Sequence, residues 1–566
     1  MKKRMLALLL SAAMAAALLT GCGSSSGSSS DDSSSAEEAE ETAEESAEAA
    51  EETEEAAEET GETSDGRELA DTVTLGLSID VGSFNPWLMA QDSTQQVYYN
   101  KIYEPLANLT IDGERDLVIA KSVESQGEGS YAIEIWDTVY DSAGNHITVD
   151  DVIYSFDMCI EAGQLAWATR YLDHIEKVDD YNMIMYTQDE SAVGLDMLLK
   201  TVFIVSQDAY EASTDEMAVT PVGTGPYVLE EYVSGSSVTL TARDDYWQTD
   251  EESRSDASQV GSITTIEYKI ITDSSQLSLA LEMGEIEVAA GTGVSSTDYG
   301  NFMDDDRNAL DGYTVVSYTN ALIEHLELNS GEGSVLNNIL LRQAVTYAID
   351  KDAIVQNIFG SDASVCNTNS SPYYGDYDSS LDDEAPYPYD PDMAKELLAE
   401  AGYEEGEITL ELICQNVDTV TKCAQLIAAY LEAVGIHCNV NIYEDALFQT
   451  SRADTSGTAW DICLNRTQGL NSPGRLGVLD INAYDTGMNG VYVTDDTLQD
   501  LYMEANLASS YSTETVTALL EYVDEMCYVV PLYYQKGYVI ATDNVTEIAL
   551  DRNIALIPGL STIYAD

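Results

Sequence analysis

The chain has 566 residues, of which 102 are acidic and 23 are basic, and its formal net charge is −79. A nucleic-acid partner is not expected, because binding to a phosphate backbone depends on lysine and arginine. After the first 22 residues no stretch is apolar and long enough to span a bilayer, so a membrane-embedded body is not expected either.

Residues 1–21 are typical of a lipoprotein export signal. A cationic start, residues 1–4, precedes an apolar run over residues 5–19 that is too short to cross a membrane comfortably. The run ends in Leu19-Thr20-Gly21-Cys22, which resembles a lipobox. We therefore expect Cys22 to carry the lipid, and two acyl chains hold a protein on a membrane where one binds only weakly. The alternative is an ordinary signal peptide that happens to contain a cysteine.

Residues 22–70 predict a disordered acidic tether behind the lipidated cysteine. Serine and glycine dominate at first, and alanine and glutamate follow. Alanine and glutamate favour helix, but like charges four residues apart oppose it, and no lysine is present in this segment to pair with them. Since the segment also lacks large apolar side chains, we expect an extended chain that holds the folded body away from the membrane.

The body from residue 71 onward is long enough for two or three cores. Its cysteines have wide, irregular spacings without a C-x-x-C pair, which favours buried free thiols; a disulfide among the last four remains open. The four histidines form no local metal motif, although a site built from distant ligands also remains open. The seven cysteines are Cys159, Cys366, Cys414, Cys423, Cys438, Cys463 and Cys527.

Local catalytic motifs are missing from the sequence. There is no G-x-S-x-G elbow, no H-E-x-x-H and no phosphate-binding P-loop. Gly223-Thr224-Gly225 begins like a dinucleotide loop, but Val228 stands where the third glycine belongs. We therefore predict no catalytic residue, no metal site and no cofactor.

Between residues 130 and 320 short alternating segments predict strands, for example over residues 263–271. A helix is predicted over residues 340–359. Another begins at Asp390, with Pro391 in its first turn, a stripe of Met393, Leu397 and Ala401, and a stop at Gly402.

A β-α-β unit is the clearest predicted element. Residues 408–412 alternate as a strand does, Asp418 is the predicted cap of the next helix, and Gly435 ends that helix before residues 436–442 alternate again. The predicted helix stripe consists of Val420, Ala424, Ile427, Leu431 and Val434. Short joints require a parallel pair with a right-handed crossover. The body is therefore predicted to be a mixed α/β protein with more than one sheet.

Eight segments, which follow one another along the chain in the family's order, resemble the peptide and nickel type of extracellular solute-binding protein, called family 5; residues 221–227 and 245–247 count as one of the eight. The most specific is Pro221-Val222-Gly223-Thr224-Gly225-Pro226-Tyr227, followed by Asp245-Tyr246-Trp247. Residues 141–156, which read DSAGNHITVDDVIYSF, match another family segment, but the Phe-His pair with which that segment usually starts is replaced here by Val139-Tyr140. The other segments are Ser83-Phe84-Asn85-Pro86, Ile102-Tyr103-Glu104-Pro105-Leu106, LEMGEIEV at 281–288, Arg342-Gln343-Ala344 with Ala348-Ile349-Asp350, AKELLAEAG at 394–402, and Val530-Pro531-Leu532-Tyr533-Tyr534.

The resemblance implies a periplasmic-binding-protein-like fold of type II, with two hinged lobes and an extra subdomain. Lobe I would comprise residues 71–102, 215–318 and 541–566, subdomain II residues 103–214, and lobe III residues 319–540. The glycine-rich segment is interpreted as a tight turn in which glycine allows positive φ. The implied function is binding of a small polar solute, most simply a peptide or peptide-like molecule, for an ABC permease.

The resemblance also places the ligand between two segments. Gln91 and Asp92 follow the N-terminal proline motif, and Asn465, Arg466, Thr467 and Gln468 follow an aromatic-Asp pair. Peptide binders often carry an aspartate shortly before the proline of this second segment, to hold the ligand's α-amine. Residues 468–472 contain no acid, so a ligand without a free amine, or a counter-charge from Asp92, is expected. Arg466 favours a carboxylate; its alternative role is an ion pair within the lobe.

Two other functions remain as alternatives, a surface adhesion or scaffold lipoprotein and a tethered secreted hydrolase. The first would not need family-like segments throughout the body, and the second would need a nucleophile or carboxylate pair. The expected location is the extracytoplasmic face of the cell membrane, with the protein a monomer. The sequence leaves peptides, sugars, opine-like compounds and chelated metals open as ligands.

Overall fold

The strands and helices below belong to the described part of a computed structural model, residues 67–88, 93–110, 113–188, 190–191, 193–249, 254–289, 293–383, 385–454, 456–480 and 491–565. Residues 69–566 form one unit. The strands are β1 Thr72–Leu77, β2 Glu104–Pro105, β3 Ala107–Leu109, β4 Arg115–Leu117, β5 Ala120–Gly127, β6 Ser130–Ile135, β7 Leu172–Lys177, β8 Asn182–Thr187, β9 Phe203–Ile204, β10 Tyr227–Val233, β11 Ser237–Ala242, β12 Thr265–Ile270, β13 Val288–Ala289, β14 Tyr313–Leu328, β15 Ala363–Val365, β16 Ile408–Gln415, β17 Ile436–Tyr443, β18 Ile462–Thr467, β19 Val529–Thr542, β20 Val545–Glu547 and β21 Thr562–Ile563.

The α-helices alternate with these strands through most of the chain, which confirms the predicted mixed α/β class. They are α1 Ser93–Ile102, α2 Val149–Ala162, α3 Ala166–Thr169, α4 Gly194–Thr201, α5 Gln207–Ala212, α6 Ser274–Glu282, α7 Ile339–Tyr347, α8 Lys351–Ile358, α9 Pro391–Glu400, α10 Asp418–Ala433, α11 Asp445–Arg452, α12 Ser472–Arg475, α13 Asp496–Asn506 and α14 Thr513–Met526.

One mixed sheet runs through the unit in the order β10-β11-β12-β1-β13-β19-β14-β18-β16-β17, and β15 pairs with β19. Strand β1 is parallel to β12 and β13, and β16 is parallel to β17 and β18. The two longest strands, β14 and β19, run antiparallel at the centre. Their pairing register shifts between Thr319 and Ile323 and again between Glu324 and His325. The regular pairing of the two central strands is therefore interrupted next to residue 319, where the predicted lobe boundary falls.

A separate four-stranded sheet, β5-β6-β8-β7, lies within the predicted subdomain II. Its inner residues share a core with α2 and α4. Helix α2 begins with a capping box, in which the backbone N–H of Thr148 donates to the Asp151 carboxylate over 2.8 Å, and it ends at Gly163 with φ of 71°. Both signals follow the ordinary chemistry of helix ends.

The β-α-β unit is confirmed. Strands β16 and β17 are parallel, and α10 buries the stripe from Val420 to Leu431 against them. The cap is displaced by one residue: Val417 occupies the N-cap position without a side-chain hydrogen bond, and Asp418 is the first helical residue. The predicted aspartate therefore acts through its charge in the first turn instead of as the cap.

Two other helix predictions need correction. The helix expected over residues 340–359 is two helices, α7 and α8, because Asp350 leaves the helical conformation and its carboxylate caps α8 by accepting the Ala353 N–H. In α9 the buried residues are Ala394 and Leu398, whereas Met393 is 37% exposed. The predicted stripe is one position out of phase with the observed one, although the Asp390 cap and the end near Gly402 are confirmed.

The glycine-rich segment is not held by positive φ, as the sequence had suggested. Gly223 and Gly225 lie against the last turn of α1, where a Cβ atom on Gly223 would come within 2.1 Å of the Ile102 carbonyl oxygen. The Gly225 N–H donates to that same oxygen over 2.9 Å. Glycine is required here because two backbones touch, and the contact fixes the end of α1 that carries Lys101.

All seven described cysteines are free, and six of them are buried. The predicted buried thiols are confirmed, and no disulfide forms among the described residues. None of the helices in the described ranges has the length and apolarity needed to cross a membrane.

Candidate ligand-binding site

The predicted lobe III segment forms β18, which pairs antiparallel with β14 so that Asn465 lies opposite His325 and Arg466 opposite Glu324. Side chains alternate between the two faces of a strand. Asn465 and Thr467 therefore share one face, and Arg466 projects from the other.

On the first face, Glu327 is the centre of a buried polar network. Its carboxylate accepts hydrogen bonds from Arg452 over 3.0 Å and from Asn465 Nδ2 over 2.8 Å, and it lies 3.5 Å from His325 Nε2. Burial raises the pKa of Glu327, but the charge of Arg452 and the hydrogen bond with His325 outweigh burial and lower the pKa to about 2. Burial lowers the pKa of His325, which therefore favours the neutral imidazole. The network locks Asn465, and with it β18, to the central strands.

The same face continues to Arg475, a fully buried cation at the end of α12. Its guanidinium donates to Thr467 Oγ1 over 3.1 Å and to Asn369 Oδ1 over 2.6 Å. The loop that carries Asn369, residues 368–371, is itself fully buried. Arg475 thus clamps the end of β18 to a second loop.

On the second face, Arg466 lies beside Glu324. Asn320, Leu322, Tyr533 and Gln535 complete a cavity of about 30 Å³ with this pair, which is room for about one or two water molecules. Burial raises the pKa of Glu324 to about 7, and the charge of Arg466 opposes that rise. Arg466 is exposed, so it acts here as a partial counter-charge for a buried carboxyl group.

The loop after β18 folds back through Ser472. Asn471 caps α12 by accepting the Gly474 N–H, and the N–H and hydroxyl of Ser472 both donate to Asp376. Tyr511 donates to the same carboxylate over 3.0 Å. Residues 468–472 contain no acid themselves, but the carboxylate of Asp376, from another loop, lies against Ser472. Its oxygens already accept from three protein donors, so it holds the loop in place and has at most about one lone-pair site left for a ligand amine.

Arg552, near the C-terminus, joins the predicted lobe I to this loop. Its Nη2 donates to the Leu470 carbonyl oxygen over 3.1 Å, its Nε donates to the Tyr373 hydroxyl over 3.2 Å, and the guanidinium stacks 4.5 Å above the Tyr373 ring. Segments from the two predicted lobes therefore meet at the loop after β18, which was predicted from the sequence to contact the ligand.

The structure brings together some of the predicted site residues. Gln91 and Asp92 lie outside the described residues. Asn465 and Thr467 are engaged by Glu327 and Arg475, Arg466 is on the opposite face, and Gln468 is exposed at the end of β18. Among the described residues, no group of three or more His, Cys, Asp or Glu is arranged to hold a metal ion.

Sequence reasoning missed the residues that position this site. All of them except Arg475, which lies in α12 directly after the site loop, come from segments at least about 80 residues away along the chain, so no local motif announces them. They are His325, Glu327, Asn369, Tyr373, Asp376, Arg475 and Arg552.

The family model for the middle region of bacterial extracellular solute-binding proteins, family 5, matches residues 117–487. The chain belongs to this family. The match covers most of the predicted subdomain II and the whole of the loop that precedes Pro473, and it includes the site residues described above other than Tyr511, Tyr533, Gln535 and Arg552. The periplasmic-binding-protein-like fold that the sequence predicted is thereby confirmed.

Relatives and solved structures agree with this assignment. The dipeptide-binding protein of Escherichia coli (strain K12) is 25% identical over 397 residues, which cover 64% of this chain and 70% of that protein. HbpA2 from Haemophilus parasuis superimposes with a TM-score of 0.76 at 18% identity, over 87% of this chain and 100% of that one. DppA from Helicobacter pylori, solved with the peptide STSA, gives a TM-score of 0.63 at 20% identity, over 88% and 99% of the two chains.

Proposed function

We propose that this protein captures a small polar solute, peptide or peptide-like in character, between two lobes and delivers it to an ABC permease in the membrane. The observation that carries the proposal is the match of the family model over residues 117–487. The family comprises solute-binding proteins of transporters, and we propose a binding role without catalysis. The relatives' peptide ligands support a peptide-like solute.

The proposed lobes are those given above, with boundaries at residues 318/319 and 540/541. Strand β14 crosses the first boundary and β19 crosses the second, and the two strands are paired to each other there. The register shift after Thr319 supports a hinge at this point, because an irregular ladder bends more readily than a regular one. Closure about such a hinge is driven only by ligand contacts that the open state lacks.

For the ligand contacts, we propose Gln468 and Thr467 from lobe III and Gln91 or Asp92 from lobe I. Gln468 is exposed at the strand end, whereas Asn465 is held by Glu327. Thr467 accepts one hydrogen bond from Arg475 but keeps its hydroxyl hydrogen to donate. Arg466 remains a candidate only for a ligand that reaches the Glu324 face. Since the Asp376 carboxylate already accepts from three protein donors, ligands without a free α-amine are favoured over those that need a carboxylate partner in this loop.

We further propose that the protein is anchored through a lipid on Cys22 to the extracytoplasmic face of the membrane, as a monomer. The lipobox and the low-complexity segment after it support this location.

Binding and closure can be tested together on the full chain in detergent. A library of tri- to hexapeptides, each with free and with blocked N-termini, is screened by calorimetry, and small-angle scattering is recorded with each binder. We expect binding at one site per chain with a decrease in radius of gyration, and a preference for blocked N-termini. Chromatography of the recovered peptide decides the enzyme alternative, since cleaved peptide would contradict a pure binding role. Binding without any change in radius would contradict the hinge.

A further inference from the structure

Three cations are grouped near one acidic residue, Asp551. Lys101 on α1 follows Asn100, whose amide donates to the Asp551 carboxylate over 3.2 Å. Arg552 directly follows Asp551 in sequence, and Lys200 on α4 lies within reach of both charges. The Asp551 charge acts on both lysines, and the Arg552 charge acts on Lys200. Lys101 is 2% exposed and Arg552 5%, and Lys200 is half-buried. Burial and the neighbouring guanidinium lower the pKa of Lys200 to about 8. In a chain with four times as many acids as bases, this cluster of three cations has a local excess of positive charge.

Asp551 does not neutralise the cluster by pairing. Its carboxylate accepts hydrogen bonds from neutral donors, namely the Asn100 amide over 3.2 Å and the backbone N–H groups of Asn553 and Ala555 over 2.8 and 2.9 Å. The nearby Asp196 is already paired with Arg115. Within the described residues, the ammonium groups of Lys101 and Lys200 make no hydrogen bond or ion pair, and Arg552 Nη1 is buried with no acceptor.

Other buried cations in the described part of the chain are satisfied. Arg342 donates to three backbone carbonyl oxygens, Lys351 to the Cys366 carbonyl oxygen, and Arg452 to Glu327. Burying a charge without a partner is strongly unfavourable. Nη1 of Arg552, which is buried without an acceptor, is therefore an exception to the way these other cations are satisfied.

The cluster is continuous with the candidate site. Arg552 donates to the Leu470 carbonyl oxygen in the loop after β18. Lys101 lies in the last turn of α1, the helix that comes next in sequence after the N-terminal proline motif and the loop that follows it. Gly113 leaves room for the guanidinium, since a Cβ atom there would lie 2.5 Å from Nη1. Lys200 is half-buried, so this part of the cluster is in contact with solvent.

We propose that Lys101, Lys200 and Arg552 form a subsite for an oxyanion, a carboxylate or phosphate group carried by the transported solute. The inference rests on the proposed binding function and narrows its substrate class to anionic solutes. An oxyanion placed here would satisfy the free N–H groups and compensate the excess charge, and charge-assisted hydrogen bonds of this kind are the strong ones. Arg552 also touches both predicted lobes, so a bound anion would favour the closed arrangement.

The test uses anion probes that need no knowledge of the natural solute. Thermal unfolding of the full chain is recorded in succinate, inorganic phosphate and chloride of matched ionic strength. Four proteins are compared: the parent, Lys200→Met, Lys200→Arg, and Lys121→Met as control. Lys121 is an exposed lysine paired with Glu134, so its loss removes one positive charge away from the cluster.

We expect succinate or phosphate to raise the unfolding temperature of the parent and of the control more than chloride does. Lys200→Met should need about ten-fold more anion for the same rise in unfolding temperature. Lys200→Arg should respond to the anion as the parent does. A larger shift with phosphate identifies a phosphate-bearing solute, and a larger shift with succinate a carboxylate-bearing one. In chloride alone, Lys200→Met should unfold at the parent's temperature or above it, because it removes an unpaired charge. An equal anion response in parent and Lys200→Met would overturn the subsite, whether or not peptides bind. Failure of every peptide to bind, with the anion response intact, would instead count only against the peptide-like solute.

Discussion

Replacing Glu327 by glutamine should cost the protein about 3–5 kcal/mol of folding free energy at pH 7, because it breaks a fully buried ion pair and leaves Arg452 without a counter-charge. The lowered pKa of Glu327 gives a loss of folding free energy of similar magnitude. A glutamate pKa lowered from 4.5 to about 2 corresponds to about 3 kcal/mol in favour of the ionised folded state. The glutamine also presents an amide donor to Asn465 and Arg452, which are both donors. The substitution therefore loosens the strand that leads to the candidate site.

The stability is measured by urea unfolding of the parent and Glu327→Gln. The contribution of a depressed carboxylate is complete above its unfolded pKa and is lost as the pH falls through the folded pKa. The difference between the two proteins should therefore be largest above about pH 4.5 and shrink below it. The control is Glu134→Gln, which breaks the exposed pair with Lys121 and should cost less than about 1 kcal/mol. A Glu327→Gln loss no larger than that of the control would refute the account of the network.

Three further predictions concern other parts of the chain. The pKa of Glu324 is raised to about 7, so ionisation of Glu324 destabilises the folded state as the pH rises from about 4.5 through 7. Glu324→Gln should therefore be more stable than the parent above pH 7, by up to about 3 kcal/mol, and equally stable below pH 4.5. Urea unfolding of both proteins at the two pH values measures this difference. Cys22→Ala should release the body into the medium or leave an unprocessed precursor, and mature-sized protein that stays with the membrane fraction would argue against lipidation. A chain starting at Gly66 should keep the parent's melting temperature and ligand affinity, and a several-fold loss of affinity would show that the tether contributes to binding.

The elements that the sequence predicted well are those whose signals are local. The β-α-β unit over residues 408–443 combines alternation, a helical stripe and a terminal glycine, and all of these depend on neighbours within a few positions. The errors fall at boundaries. Val417 displaced Asp418 from the cap, and Asp350 divided one predicted helix into two, since an aspartate can either occupy a first turn or end one helix and cap the next.

The candidate site was predicted less completely, because its organisation depends on contacts that are distant in sequence. The resemblance located β18 correctly, but it did not show that Arg466 and Asn465 face opposite sides of the sheet. That follows from pairing with β14, which only the fold supplies. Likewise, the sequence lacks an acid before Pro473, and Asp376 reaches Ser472 from almost 100 residues away.

The charge of the chain illustrates the same limit. Its excess of acids made a nucleic-acid partner unexpected, but composition gives no information on where the few bases lie. Lys101, Lys200 and Arg552 are separated by up to 451 residues in sequence and are grouped near Asp551 only in the folded chain. A cationic subsite in a strongly acidic protein therefore could not be predicted from the sequence.

Native mass spectrometry of the full chain after gentle extraction from its own cells, followed by identification of any released molecule, tests whether the protein holds a small anionic solute between its lobes. We expect one solute per chain that carries a carboxylate or phosphate group. Its return to the stripped protein should reduce the radius of gyration, and its affinity should fall in Lys200→Met. A co-purified solute that is neutral or cationic and binds the parent and Lys200→Met equally would contradict the proposed anionic ligand.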